Sequence, residues 1–414
     1  MLSWEYPPKI VGGIARHVEE IAWALAKHPD LEIHVVTCDF PGAPAEEVFN
    51  GVHIHRVAAY DAPGGHKDFI HWVHQLNAAM YDRTRALLHD WLTPKKRGAT
   101  QQDPKKLSAK DGIVLHVHDW LTHFSGVRLK HDFKLPLIAT IHATEYGRNN
   151  GIHSDISRYI NGVERDLVTE AWRVIVCSGF MKGEVEFALS APSDKTDIIY
   201  NGIHTEKFDF TFPEEEFWAF RSQFAAPEEK LIMFVGRGVR EKGCQVLIDA
   251  LPRVRAGYHD AKLVVAGGGY RQHLVDQANA IGMGRHVYFT GFIPDDALLR
   301  LYHVADIACF PSLYEPFGIV ALEAMASHTP VVVSDAGGLP EVVEHDVTGT
   351  VTWLNNPDSL AWGLLRVLHN PQHARWMAQN AYERCQSVFN WDLISDQTNT
   401  VYQRVWKEYK SSPW

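Results

Sequence analysis

Two glutamates stand eight residues apart in Glu315-Pro316-Phe317-Gly318-Ile319-Val320-Ala321-Leu322-Glu323. A carboxylate oxygen accepts several hydrogen bonds, which suits it to sugar hydroxyls. If the segment is a loop running into a helix, Glu315 lies at or before the helix start. Glu323 then falls about two turns inside, near the same face at ~100° per residue. The N–H groups of Gly318, Ile319 and Val320 become first-turn donors with no intrahelical acceptor, a ready site for hydroxyl or phosphate oxygens. A surface glutamate before a capped core helix would give the same local pattern, so the other motifs must decide.

Gly236-Arg237-Gly238-Val239-Arg240-Glu241-Lys242-Gly243 offers cations flanked by glycines. Arg237 as a fork and Lys242 as a mobile point charge could clamp a diphosphate. Neutralising a leaving diphosphate is what transfer from a nucleotide sugar requires. Gly12-Gly13 opens the first helix, where backbone can approach a phosphate closely; a turn needing positive φ would look alike. Gly337-Gly338, in Asp335-Ala336-Gly337-Gly338-Leu339-Pro340-Glu341, has the same two readings. Thr290-Gly291-Phe292-Ile293-Pro294 resembles a loop beside a nucleotide base, with Phe292 and Ile293 as its apolar wall.

His116-Val117-His118-Asp119-Trp120 ends a strand-like run. His116 and His118 share a strand face, and His123 is near in sequence. No Cys or clear acidic ligand completes a metal site, so no metal is expected. Asp119 is the better candidate, for an acceptor. His142 ends the next run and could touch a sugar hydroxyl or a phosphate, or serve the core. No Asp-x-Asp occurs, which fits diphosphate stabilisation by Arg237, Lys242 and helix starts.

These motifs need a scaffold that brings loops together. Short β-branched runs such as Ile33–Thr37, Leu137–Ile141, Leu231–Val235 and Lys262–Ala266 alternate with amphipathic helical patterns such as 15–26, 245–255 and 357–368. That is α/β architecture with parallel sheets covered on both faces and right-handed crossovers. Ligands then bind beyond the carboxyl ends of strands, where nearly every motif falls. The pattern restarts near residue 231, which places a domain junction at 200–215. We expect an N-terminal Rossmann-like acceptor domain over 1–205 and a Rossmann-like donor domain over 206–390. A last helix in 391–414 is expected to pack back on the first domain. Residues 93–110 read as an exposed basic loop. The first strand is confined to Met1–Trp4, short for a central strand, so it is clipped or upstream residues are absent.

Composition sets the bounds. A chain of 414 residues predicts two domains rather than one core. A formal net charge of −10 argues against nucleic acid or an anionic membrane as the main partner. The five cysteines are scattered with no Cys-x-x-Cys pair, as for reduced thiols in a cytoplasmic protein. No apolar run is long enough for a membrane span, and no signal peptide is visible.

As a set, Gly12-Gly13, His116-Val117-His118-Asp119-Trp120, Thr140-Ile141-His142, Asn201-Gly202, the Gly236–Gly243 loop, Glu315-Pro316-Phe317-Gly318 with Glu323, and Gly337-Gly338-Leu339 resembles the retaining glycosyltransferases of the GT-B fold. The likeness is greatest to the glycogen and starch synthase group and runs through nearly the whole chain in order. It implies two Rossmann-like domains facing a central cleft that closes on substrate. It also implies that Arg237 and Lys242 stabilise the donor diphosphate, with Gly12 and Gly13 capping it. Glu315 would hold the donor sugar with the Gly318 and Ile319 N–H groups, and Glu323 the ribose. His142 would sit by the donor sugar and Asp119 near the acceptor. Lys9 stands one residue farther from the glycines than in the common Lys-x-Gly-Gly form. The implied reaction moves glucose from ADP- or UDP-glucose to an α-1,4-glucan, with no metal and no cofactor beyond the donor. Small or phosphorylated acceptors are the alternative, as in maltose-1-phosphate, sucrose or trehalose synthases or mannosyltransferases. A sugar-nucleotide epimerase and a glycan-binding protein on the same scaffold are further readings.

Overall fold

The structure, a computed structural model, describes residues 1–61, 68–92, 112–269 and 271–412. The basic stretch at 93–110 lies outside them. The chain forms two α/β units. One comprises Met1–Cys177, Met181–Ile199 and Trp391–Trp414, the other Ser178–Phe180 and Tyr200–Asn390. The division falls at Tyr200 rather than after residue 205, because the Tyr200 ring packs on Phe317 and Phe389, at 5.8 and 5.6 Å between centroids.

The first unit holds β1 (Leu2–Ser3), β2 (Ile33–Cys38), β3 (Glu46–Phe49), β4 (Val52–Val57), β5 (Leu115–His118), β6 (Leu137–Ile141), β7 (Arg173–Val176) and β8 (Thr196–Ile198). They form one sheet in the order β3-β4-β2-β1-β5-β6-β7-β8. Pairing is parallel apart from the β3–β4 hairpin. Every residue of β6 is buried, as its unbroken apolar run requires of a strand covered on both faces. β1 is two residues long yet central, pairing Leu2 with Val36 on one side and Val117 on the other.

The helix Trp391–Ser411 belongs to this unit. Trp391, Ile394, Val401 and Val405 join Val18, Ile21 and Leu25 in one core. Its Tyr402 hydroxyl meets His116 Nδ1 at 2.6 Å, and Trp172 Nε1 donates to Glu408 at 2.9 Å.

The second unit holds β9 (Lys230–Val235), β10 (Ala261–Ala266), β11 (Val287–Gly291), β12 (Ile307–Phe310), β13 (Val331–Ser334) and β14 (Thr350–Thr352). Their order is β11-β10-β9-β12-β13-β14, parallel throughout. The order reverses at β9, which has β10 on one side and β12 on the other. In the first unit it reverses at β1, between β2 and β5. These are the two switch points, beyond whose carboxyl ends an open α/β sheet binds ligands. All five cysteines are buried and none is in a disulfide. Among the described residues no helix is long and apolar enough to cross a membrane.

Candidate active site

In the second unit the loops after β9, β12 and β13 interlock at the switch point. Gly243 adopts φ 74°, and a Cβ there would lie 1.7 Å from the Pro311 carbonyl oxygen. Leu313 N–H donates to the Glu241 carbonyl at 2.7 Å, and Ser334 Oγ to the Ser312 carbonyl at 2.6 Å. This lock brings Lys242 Nζ to 2.8 Å from Glu315 Oε2, with Ser312 Oγ 3.3 Å from the same oxygen. Glu315 is buried and keeps 8% of its surface. Arg237 pairs with Glu241 at 3.0 Å but is 62% exposed, so this ion pair is weak and the guanidinium can turn to another anion.

Gly318 caps the helix Ile319–Ala326 at φ 114°. The helix starts at Ile319, later than the sequence reading implied: Gly318 is the N-cap rather than a first-turn residue, while the Ile319 and Val320 N–H groups lie in the first turn. Glu323 lies about one turn in, because the helix starts four residues after Glu315, and accepts the Tyr302 hydroxyl on Oε2 at 2.7 Å. Tyr302 is fully buried, and burial with the Glu323 charge raises its pKa well above the ordinary value. Phe292, just past β11, is 81% exposed, and Ile293 is partly buried. The β9, β10 and β11 ends are laced by Gly236 N–H to Ala266 O at 3.0 Å and Gly267 N–H to Gly291 O at 2.9 Å.

Gly337 and Gly338 let their loop turn tightly against a neighbouring backbone, and the Gly338 donor is used within the protein. The Gly338 N–H donates to the Glu315 carbonyl at 2.9 Å. A Cβ on Gly337 would lie 2.0 Å from that carbonyl oxygen, and one on Gly338 2.5 Å from the Pro316 oxygen. The pair is glycine so that one loop can press on the backbone of Glu315.

The first unit has its own cluster at the ends of β1 and β5. Gly12 is the N-cap of the helix Gly13–Ala26. Glu5, buried just past β1, accepts the Val11 and Gly12 N–H groups at 2.6 and 2.9 Å. A protein carboxylate thus already holds the Gly12 donor, leaving the Gly13 end of the turn. Burial raises the Glu5 pKa. Lys9 points to Cys38 Sγ at 3.2 Å and lies 5.3 Å over the Trp72 ring, so it braces the turn.

Asp119, at φ 57°, accepts the His142 N–H on Oδ1 at 2.7 Å. Arg148 lies 3.5 Å from Oδ2. Burial outweighs Arg148 and pushes the Asp119 pKa up to about 6. Glu164 accepts the Glu145 N–H with both oxygens, at 2.9 and 3.1 Å, and burial raises it to about 8. Burial lowers His142 to about 3, so its imidazole is neutral at ordinary pH.

The expected histidine pair separates in role. His116 is a satisfied core residue, with Nδ1 on Tyr402 and Nε2 2.7 Å from Thr140 Oγ1. His123 turns to Asp166 at 3.1 Å. His118 instead meets His142 at 3.1 Å, and with His17 their ligand nitrogens lie within 4.8 Å of one another.

Glu5, Tyr302, Arg148 and Glu164 escaped the sequence reading. Tyr302, Arg148 and Glu164 act through partners distant in the chain. Only Glu5, three residues before Pro8 and just ahead of Gly12-Gly13, carried a local signal.

Two α/β units, each on a largely parallel sheet with glycine turns and paired charges at its switch point, are the architecture of the GT-B class of glycosyltransferase. A sucrose-phosphate synthase structure from Thermosynechococcus elongatus shares the fold, with TM-score 0.77 over 96% of this chain and 94% of that one, at 24% identity. Residues 11–207 match Glycosyltransferase Family 4, and residues 216–384 match Glycosyl transferases group 1. An uncharacterized glycosyltransferase of Methanocaldococcus jannaschii is 39% identical, covering 97% of both chains. A glycogen synthase of Mycobacterium tuberculosis is 34% identical, over 97% of this chain and 93% of its own. The chain belongs to this glycosyltransferase family.

Proposed function

We propose that the enzyme transfers glucose from a nucleotide-sugar, ADP- or UDP-glucose, to the non-reducing end of an α-1,4-glucan with retention of configuration. The observation that carries the reading is the Lys242–Glu315 pair at the β9/β12 switch point, beside the start of the helix Ile319–Ala326. A cation for a leaving diphosphate and a carboxylate for sugar hydroxyls stand together there. The 34% identity to a glycogen synthase favours a glucan acceptor.

In this reading Arg237 and Lys242 neutralise charge on the diphosphate as the bond from the glucose C1 to phosphate breaks. The acceptor hydroxyl oxygen bonds to C1 on the same face. Its proton passes to the departing phosphate oxygen, so no protein nucleophile is needed. Glu315 and the Gly318 and Ile319 N–H groups hold the sugar, and Glu323, steadied by Tyr302, takes the ribose. Phe292 and Ile293 flank the base. In the first unit Gly13 serves the phosphates, His142 the donor sugar and Asp119 the acceptor. Preorganised charge supplies most of the rate effect.

The test is product linkage. Label from glucose-labelled donor should enter glycogen and be released as maltose by β-amylase, which cuts α-1,4 links from the non-reducing end. Label that resists β-amylase, or that never enters glycogen, would contradict the reading.

A further inference from the structure

The helices Pro357–His369 and Pro371–Ser387 of the second unit carry Trp362 and Trp376, which are 49% and 50% exposed. Indoles kept half in water forgo burial worth ~2 kcal/mol or more each. The two rings belong to one connected cluster. Arg366 Cζ lies 5.6 Å from the Trp362 ring centroid, and His345 stacks on that ring at 6.3 Å and 25°. His373 stacks on Trp376 at 5.3 Å and 17°. Asp346 joins the two halves, accepting from Arg366 and, at 2.6 Å, from His373 Nε2.

Trp362, Arg366, His373 and Asp346 line a hollow of about 820 Å³, with Arg253 and Asp358 also at its wall. That volume lies in the range of small-molecule sites. The charges at the wall cancel in place, Arg253 against Asp358 and Arg366 against Asp346. A phosphate, a nucleic acid or an anionic lipid would meet a carboxylate beside each guanidinium. A neutral polyol finds what it needs, with the Trp362 indole face at the wall for its C–H edges, Trp376 extending that surface beyond His373, and carboxylate, guanidinium and imidazole groups for its hydroxyls.

We propose that this hollow binds a neutral glycan chain, an α-glucan, apart from the transfer chemistry. The rings and self-neutralised charges argue for a neutral glycan, and the choice of α-glucan rests on the proposed function. Holding the polymer here raises the local concentration of its chain ends.

The test is native electrophoresis of the full chain through gels with and without glycogen, alongside kinetics. Wild type should be retarded by glycogen, and Trp362→Ala and Trp376→Ala should lose most of the retardation. Both should stay folded with a melting temperature only a few degrees below wild type, since half of each ring is already in water. Their kcat/KM should hold for maltotetraose and fall several-fold for glycogen. Unretarded wild type, or variants retarded like wild type, would overturn the proposal. So would flotation with phosphatidylglycerol vesicles that both variants abolish. Retardation without glucosyl transfer would leave this site standing and remove the transferase reading; transfer without retardation would do the reverse.

Discussion

Lys242 Nζ and Glu315 Oε2 lie 2.8 Å apart, joined across the loops that follow two neighbouring strands. The contact orients a carboxylate that the fold has almost wholly removed from water. Replacing Lys242 leaves the buried Glu315 with only the Ser312 hydroxyl, and replacing Glu315 leaves Lys242 without its carboxylate.

Lys242→Ala and Glu315→Ala should each cost ~1–3 kcal/mol of stability, and the double variant less than their sum. Each should also lower kcat by orders of magnitude, as loss of preorganised charge does. Urea titrations of all four proteins measure the coupling, and strictly additive losses would break the account.

Gly243→Ala should be severely destabilising, because its Cβ would enter the Pro311 carbonyl at φ 74°. Gly162, inside the helix Asp155–Glu170, faces open space, so Gly162→Ala should stabilise by about 0.5–1 kcal/mol. Melting temperatures moving together in the two variants would contradict this.

Tyr302→Phe should release Glu323 and raise the donor KM with little change in kcat, the mark of lost ground-state binding. Initial-rate kinetics over donor concentration decide it. A lost kcat at unchanged KM would assign Glu323 a role in the transition state.

Asp119 supplies a pH signature. Its pKa is raised from 3.8 to about 6, so the unfolded chain releases this proton first as pH climbs. Stability therefore falls between about pH 4 and 6, and the full penalty, at most about 3 kcal/mol, applies above that window. Asp119→Asn should flatten the curve there. Glu164, raised from 4.5 to about 8, has the same sign, and Glu164→Gln should flatten the slope from about pH 5 to 8. Unchanged pH–stability curves in both variants would refute the burial argument.

The sheets were legible because their strands are continuous apolar runs, and the loop-to-helix passage at Glu315–Glu323 from its Pro-x-Gly run, though Gly318 proved to be the left-handed cap rather than a first-turn residue. The Lys242–Glu315 meeting was legible only as two motifs at strand ends; their contact depends on β12 lying beside β9, which is long-range order. Tyr302 was hidden for the same reason, since its hydroxyl serves Glu323 from a different helix. Gly337-Gly338 read equally as phosphate loop or turn, because glycine reports closeness of backbone and not what comes close.

The most direct test of the central claim crosses donors with acceptors. ADP-glucose, UDP-glucose and GDP-mannose are each offered with glycogen, maltooligosaccharides, glucose 1-phosphate or water, and nucleoside diphosphate release is followed. The account predicts release from a glucose donor that depends on glucan and lengthens it. Release only with glucose 1-phosphate, only from GDP-mannose, or equally well in water would contradict it.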